Sequence, residues 1–143
     1  MKLEELEALW EQDGKIDRTE LDAESLKIPT LHGKYYKLYL REKVQLKAEE
    51  QSYKQFYKLK HEYYTGKLSQ SELNELGWEP FQFVLKNDLS VYMEADKEVA
   101  ERLLKLSVQK EKVQFLEDII KTLNTRGFLI KNAIEFIKFT SGS

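Results

Sequence analysis

From Thr30 to Tyr64 the chain contains no proline and a single glycine, Gly33. A run this long without a breaker constrains the fold more than any other feature, and it predicts one long helix. At ~1.5 Å per residue that helix extends ~50 Å, longer than a compact domain of this size is wide. The apolar spacing agrees. At ~100° per residue, Tyr35, Tyr39, Leu46, Tyr53, Tyr57 and Tyr64 share a narrow stripe, flanked by Leu38, Phe56 and Tyr63. Lys43, Lys47, Lys54, Lys58 and His61 form a second stripe beside the first, and a polymer could lie along their border.

The chemistry of the segment is as lopsided as its spacing. Seven of the eight tyrosines fall between Lys34 and Lys67, together with nine basic and only four acidic side chains, a net of +5 in a chain whose total is −2. Cations hold phosphates and flat rings stack on unpaired bases, so one segment combines both requirements for gripping a single strand of nucleic acid. Residues 1–30 carry a net of −5, from four basic and nine acidic side chains. Such asymmetry assigns different partners to different parts of a chain, or marks a solubilising helix.

Elsewhere the pattern is again helical. Leu3, Leu6 and Trp10 share a face of a short helix that Asp13-Gly14 breaks. Thr19 is placed to cap a second short helix ending near Lys27, before Pro29. Gly66 ends the long helix, with Lys67 just beyond. Ser69-Gln70-Ser71-Glu72 reads as a capping box opening another short helix. Phe81-Gln82-Phe83 alternates as a strand would, and Asp88 is placed to cap a helical turn. Val99, Leu106, Val113 and Ile120 recur every seven residues, with Leu116 and Leu123 beside them, which predicts a second long helix. Gly127 is expected to interrupt or kink the chain.

The fold class that follows is all-α: an elongated antiparallel hairpin of two long helices, with short N-terminal helices and a C-terminal oligomerisation helix. Residues 1–143 form one domain: an acidic segment (1–28), the basic, tyrosine-rich helix (30–65), a connector (66–93), the second long helix (96–125) and an apolar segment (127–139). This last segment is too apolar all round for a one-faced surface helix. It is either sandwiched in a core or joins subunits. Subunit contact is favoured, through Phe128, Leu129, Ile130, Ile134, Ile137 and Phe139.

Much chemistry is absent. Without cysteine there is no disulfide, thiol catalysis or Cys-based zinc site. No glycine-rich phosphate loop occurs, no serine sits in a nucleophile elbow, and His32 and His61 lack a nearby ligand set. No catalytic residue, metal or cofactor is expected, and an enzyme is disfavoured. The N-terminus lacks the apolar run of a signal peptide and no stretch is long enough to span a membrane, so a soluble cytoplasmic protein is expected.

The tyrosine stripe has two readings. Rings at helical spacing are more often core than binding surface, and this applies to Tyr35, Tyr39, Tyr53 and Tyr57. Tyr63 and Tyr64, next to the terminating glycine, are expected to be accessible. The lysines are either a binding row or merely solvated.

Lys58-Leu59-Lys60-His61-Glu62-Tyr63-Tyr64-Thr65-Gly66 resembles a motif of the UvsY family of phage recombination mediators. That motif runs basic, apolar, basic, variable, acidic, Tyr, Tyr, small polar, Gly. Ala95-Asp96-Lys97-Glu98-Val99 resembles the start of the family's second long helix, and Arg126-Gly127-Phe128-Leu129-Ile130-Lys131 its C-terminal segment. The order and spacing of the three give the match its specificity. The resemblance implies a ring-like homo-oligomer that binds single-stranded DNA. It further implies help in loading a RecA-like recombinase onto strands coated by single-stranded-DNA-binding protein, in a host cytoplasm and without a cofactor. It puts the DNA-contacting basic pair at Lys58 and Lys60, whereas the helical wheel places Lys60 within the tyrosine stripe, not the basic one. The family pattern has Arg at the second position; Lys keeps the charge and loses the planar fork. With Lys43, Lys47, Lys54, His61, Tyr63, Tyr64 and Lys67, this pair makes the expected DNA site. The competing reading is a non-enzymatic coiled-coil scaffold whose basic face meets an acidic protein.

Overall fold

The computed structural model describes residues 1–80 and 84–142; the alternating Phe81-Gln82-Phe83 lies outside them. The described residues form five helices and no strand: α1 (Leu3–Asp13), α2 (Leu21–Tyr64), α3 (Gln70–Leu76), α4 (Leu89–Ala95) and α5 (Lys97–Thr140). The fold is all-α, and the two long helices α2 and α5 pack against each other. Packing divides the chain into two compact units, one of Met1–Gln45 with Gln109–Ser143, the other of Leu46–Val108.

In the first unit, Leu6, Tyr35, Leu116, Ile119 and Leu123 form the buried core, with Leu9, Trp10, Leu31 and Leu38 against it. Trp10 meets the Tyr35 ring edge-on, with centroids 5.3 Å apart. Helix α1 stops at Gly14, where an added Cβ would lie 2.8 Å from the Trp10 carbonyl oxygen, so close approach demands glycine there. Thr19 caps nothing. Its N–H and hydroxyl both donate to the Asp17 carboxylate, at 2.9 and 2.6 Å. Nor does Pro29 mark a boundary, because α2 runs through it from Leu21. Proline removes one helical hydrogen bond. Buried Glu24 and Tyr35 on either side, each held by partners in this unit, keep the helix continuous.

Gly127 likewise lies inside α5, which continues unbroken to Thr140. Arg126 and Ile130 are both buried around it, so packing on each side outweighs the intrinsic cost of one glycine, ~1 kcal/mol. The buried positions of α5 are Val99, Leu106, Gln109, Val113, Leu116, Ile119, Leu123, Arg126 and Ile130, nearly all three or four apart. The seven-residue pattern thus identifies this face, although Ile120 is only partly buried.

In the second unit, Phe56, Tyr64, Met93 and Val99 form the core, with Tyr53, Tyr63, Trp78, Val84 and Leu89 against it. Helix α2 ends in a glycine turn. Gly66 adopts a φ of 72°, its N–H donates to the Tyr63 carbonyl, and the Lys67 N–H reaches Glu62. The Ser69 hydroxyl accepts the Glu72 N–H at 3.2 Å and opens α3 as the sequence predicts. Helix α4 begins directly after Asp88.

Among the described residues, no helix is long and apolar enough to cross a membrane.

Candidate nucleic-acid interface

Helix α2 buries a different line from the one its tyrosines suggest. Tyr35, Glu42 and Phe56 are buried seven or fourteen residues apart, and Lys60 and Tyr64 follow. A helix packed on another helix keeps a 3.5-residue repeat at the seam, whereas a free wheel drifts at 3.6. Tyr57 of the tyrosine stripe is exposed, whereas Glu42 and Lys60 are buried.

The basic residues separate accordingly. In the second unit Lys47, Lys54, Lys58 and Lys67 are exposed and His61 is half-buried. The Lys58 side chain is 79% exposed, and its Nζ lies 4.0 Å from Glu62, an i,i+4 pair worth little in water. In the first unit Lys43 is exposed, with its ammonium 5.4 Å from the centre of the Tyr39 ring.

Lys60 is the exception, at only 5% exposed. Its Nζ lies 3.1 Å from Asp96 Oδ2 and 3.5 Å from Glu98 Oε1. It also sits 4.0 Å from the centre of the Trp78 ring and 5.4 Å from that of Tyr63. A dry ammonium needs such a set of partners. The expected contact pair is therefore not a pair in space: Lys58 faces solvent and Lys60 faces inward.

The two neighbouring tyrosines are not open platforms either. Tyr64 is buried, and its hydroxyl donates to Asp96 Oδ2 at 2.6 Å. Burial first, then the bond to Asp96 and its charge, push that hydroxyl well above the ordinary phenol range. Tyr63 is half-buried; its hydroxyl donates to the Glu79 carbonyl at 2.7 Å and its ring meets Trp78. Asp96 is the hub. It accepts from Tyr64 and Lys60, and its Oδ1 takes the Val99 N–H at 2.9 Å, capping α5. Burial pulls its carboxyl upward, but the bonds from Tyr64, the Val99 N–H and Lys60 together outweigh that and hold it below the usual carboxylate range.

Sequence reasoning places Asp96 at a helix start without giving it this role. The available signal is local: an Asp three residues before Val99 at the head of a long apolar pattern is a cap. Sequence reasoning also misses Arg102, whose guanidinium lies 3.9 Å from the centre of the Phe56 ring.

At the end of α5, Phe128, Leu129, Ile137 and Phe139 are exposed, Phe139 at 82%, and so is Phe136, which lies outside the expected set. Ile134 is half-buried. Ile130 is a correction: at 2% exposed it belongs to its own chain's interior. Among the described residues, no group of three or more His, Cys, Asp or Glu side chains is arranged to hold a metal ion.

The family model described as "Recombination, repair and ssDNA binding protein UvsY" matches residues 9–143. Three crystal structures of the bacteriophage T4 recombination mediator protein UvsY share the fold. Lattice type II superposes with a TM-score of 0.84 at 23% identity, covering 99% of this chain and 98% of that one. Lattice type IV gives 0.80 at 22%, covering 98% and 99%. Lattice type I gives 0.81 at 22%, covering 95% and 98%. No curated protein matches the sequence.

Proposed function

The chain belongs to the UvsY family, and on that basis we propose a recombination mediator that grips single-stranded DNA through the solvent-facing lysines of α2. The observation that carries this reading is the exposed row Lys47, Lys54 and Lys58 on one helix of the second unit. Lys67 and His61 extend it at the end of that helix, and Lys43 adds a cation in the first unit. Phosphates are met by solvent-facing ammonium groups, which displace condensed counterions from the strand, and no base sequence is read. Lys60 acts from behind. It ties Asp96 and Trp78 to α2 and so holds the connector and the head of α5 under the row.

Copies assemble through the apolar surface at the end of α5, where Phe128, Phe136 and Phe139 are exposed. A net-acidic protomer binds a polyanion weakly. Several copies in a ring multiply the grip ~100-fold or more without any additional type of interaction. A strand wound over such an assembly is strained away from the protein that coats it and offered to the recombinase.

The test is the salt dependence of binding to a labelled oligonucleotide. Lys54→Ala with Lys58→Ala weakens binding and flattens the slope of log K against log salt by ~0.7 for each phosphate no longer neutralised. An unchanged slope places the strand elsewhere. No binding at moderate salt, with assembly intact, would favour a scaffold for an acidic protein.

A further inference from the structure

A cleft of about 410 Å³ opens in the second unit at the end of α2, lined by His61, Thr65, Val84, Leu85, Lys86 and Leu89. Its size falls in the ~300–1,000 Å³ range of small-ligand sites. Three of the six lining residues come from the connector before α4, the part of the chain that the family resemblance leaves unassigned. The Val84 N–H donates to the Tyr64 carbonyl at 3.2 Å and pins that segment to the helix end.

The lining has a specific chemistry. Val84, Leu85 and Leu89 offer an apolar wall, and His61 offers a flat ring. Thr65 uses its hydroxyl proton on the His61 carbonyl at 2.8 Å, which leaves its oxygen lone pairs to accept. Lys86 is an exposed cation at the mouth, and no carboxylate lines the cleft. Lys58 stands one helical turn before His61, on the same side of α2. A ligand that satisfies this set is flat, has apolar faces and N–H groups at its edge, and carries anionic groups on both sides. An unpaired nucleobase in a strand has all of these features. An apolar peptide would leave the cations without partners.

We propose that this cleft seats one unpaired base of the bound strand between His61 and the aliphatic wall, with flanking phosphates on Lys86 and Lys58. The proposal rests on the strand-binding function above, and it adds a base contact to a grip otherwise made of phosphates.

The experiment compares two labelled strands on the full-length protein at one salt concentration. One is an oligothymidylate; the other has the same length and phosphate number but abasic tetrahydrofuran residues. The thymidylate is expected to bind roughly tenfold more tightly, as for one or a few stacked bases. Leu85→Ala, a change at a residue 71% exposed and so without consequence for folding, is expected to shrink that ratio towards one. His61→Ala is expected to do the same. Equal affinity for the two strands in the wild type overturns the base site and leaves the phosphate grip standing. A full preference that survives both substitutions seats the base elsewhere and also overturns it. If neither strand binds, the strand-binding function fails and the base site falls with it.

Discussion

Each unit contains a tyrosine, an aspartate and a lysine joined through one carboxylate oxygen, and the two clusters are put to different use. In the first, Asp13 Oδ2 accepts from the Tyr35 hydroxyl at 2.8 Å and from Lys34 at 2.6 Å. In the second, Asp96 Oδ2 accepts from the Tyr64 hydroxyl at 2.6 Å and from Lys60 at 3.1 Å. Lys34 remains partly in solvent, with 42% of its side chain exposed, whereas Lys60 is buried. The buried cation of the first unit is Arg126, whose guanidinium donates to the carbonyls of Asp13, Gly14 and Lys15 at 3.0–3.2 Å. A guanidinium fork suits three carbonyls at the end of a helix. An ammonium suits two carboxylates and a ring face. A basic residue in this fold is thus either a buried tie or a solvated cation open to a ligand, and burial decides which.

The largest effect should come from cutting the buried ties. Removing one partner of a buried ion pair typically costs ~3–5 kcal/mol, because the other charge is left dry. Lys60→Ala and Asp96→Asn are each expected to lower the melting temperature of the protein substantially, and Arg126→Ala to do so from the other unit. Asp96→Asn also discriminates between the two roles. If Lys60 were a DNA contact, freeing it from a carboxylate would tighten strand binding. As a tie, its release loosens the connector and weakens binding. An Asp96→Asn protein as stable as wild type and with higher DNA affinity would erase the distinction between tie and contact.

These ties explain where the sequence was legible. The hairpin was visible because the apolar repeat of α5 and the absence of breakers in α2 are local signals that tertiary packing reinforces. Pro29 and Gly127 misled because each is a local breaker between residues fixed by distant partners: Glu24 and Arg126 meet each other across 102 positions of sequence. For Lys60 two signals competed. The helical wheel put it among the tyrosines, facing inward, while the motif resemblance put it on DNA. The wheel read the geometry correctly. The cleft beyond α2 had no sequence signal, since its walls come from a helix end and an irregular connector.

Acid probes both clusters at once, with a smaller effect. Asp13 and Asp96 are both held below the usual carboxylate range. At each, burial acts to raise the pKa; at Asp13 the bonds from Lys34 and Tyr35 outweigh it, as those from Tyr64, the Val99 N–H and Lys60 do at Asp96. A carboxyl depressed in the fold contributes stability that is fully present above its unfolded pKa of ~3.9 and is lost as pH falls through its folded value. Denaturant midpoints of the wild type should therefore fall below about pH 4. Asp13→Asn and Asp96→Asn should each start from a lower midpoint and decline less steeply. An acid limb unchanged by Asp96→Asn would mean that the carboxylate hub does not stabilise the second unit.

The smallest expected effect on stability is the one that most cleanly separates contact from tie. Lys58 and Lys60 are two residues apart on one helix, so charge, helix propensity and distance from the helix end are nearly matched between them. Their surroundings are not. Lys58 has one acidic neighbour at 4.0 Å in open solvent, and the loss of such a pair falls within about ±0.5 kcal/mol. Lys58→Ala should thus leave the thermal midpoint almost unmoved and still reduce the salt slope of DNA binding, by ~0.7 for each protomer that loses its phosphate contact. Lys60→Ala should move the midpoint strongly, and its DNA defect should shrink at low temperature as the folded fraction is restored. If both substitutions unfolded the protein equally, Lys58 would also be a tie and the binding row would stop at Lys54. If neither did, the buried pair at Asp96 would be dispensable and the motif would act as the matched pair that its sequence suggests.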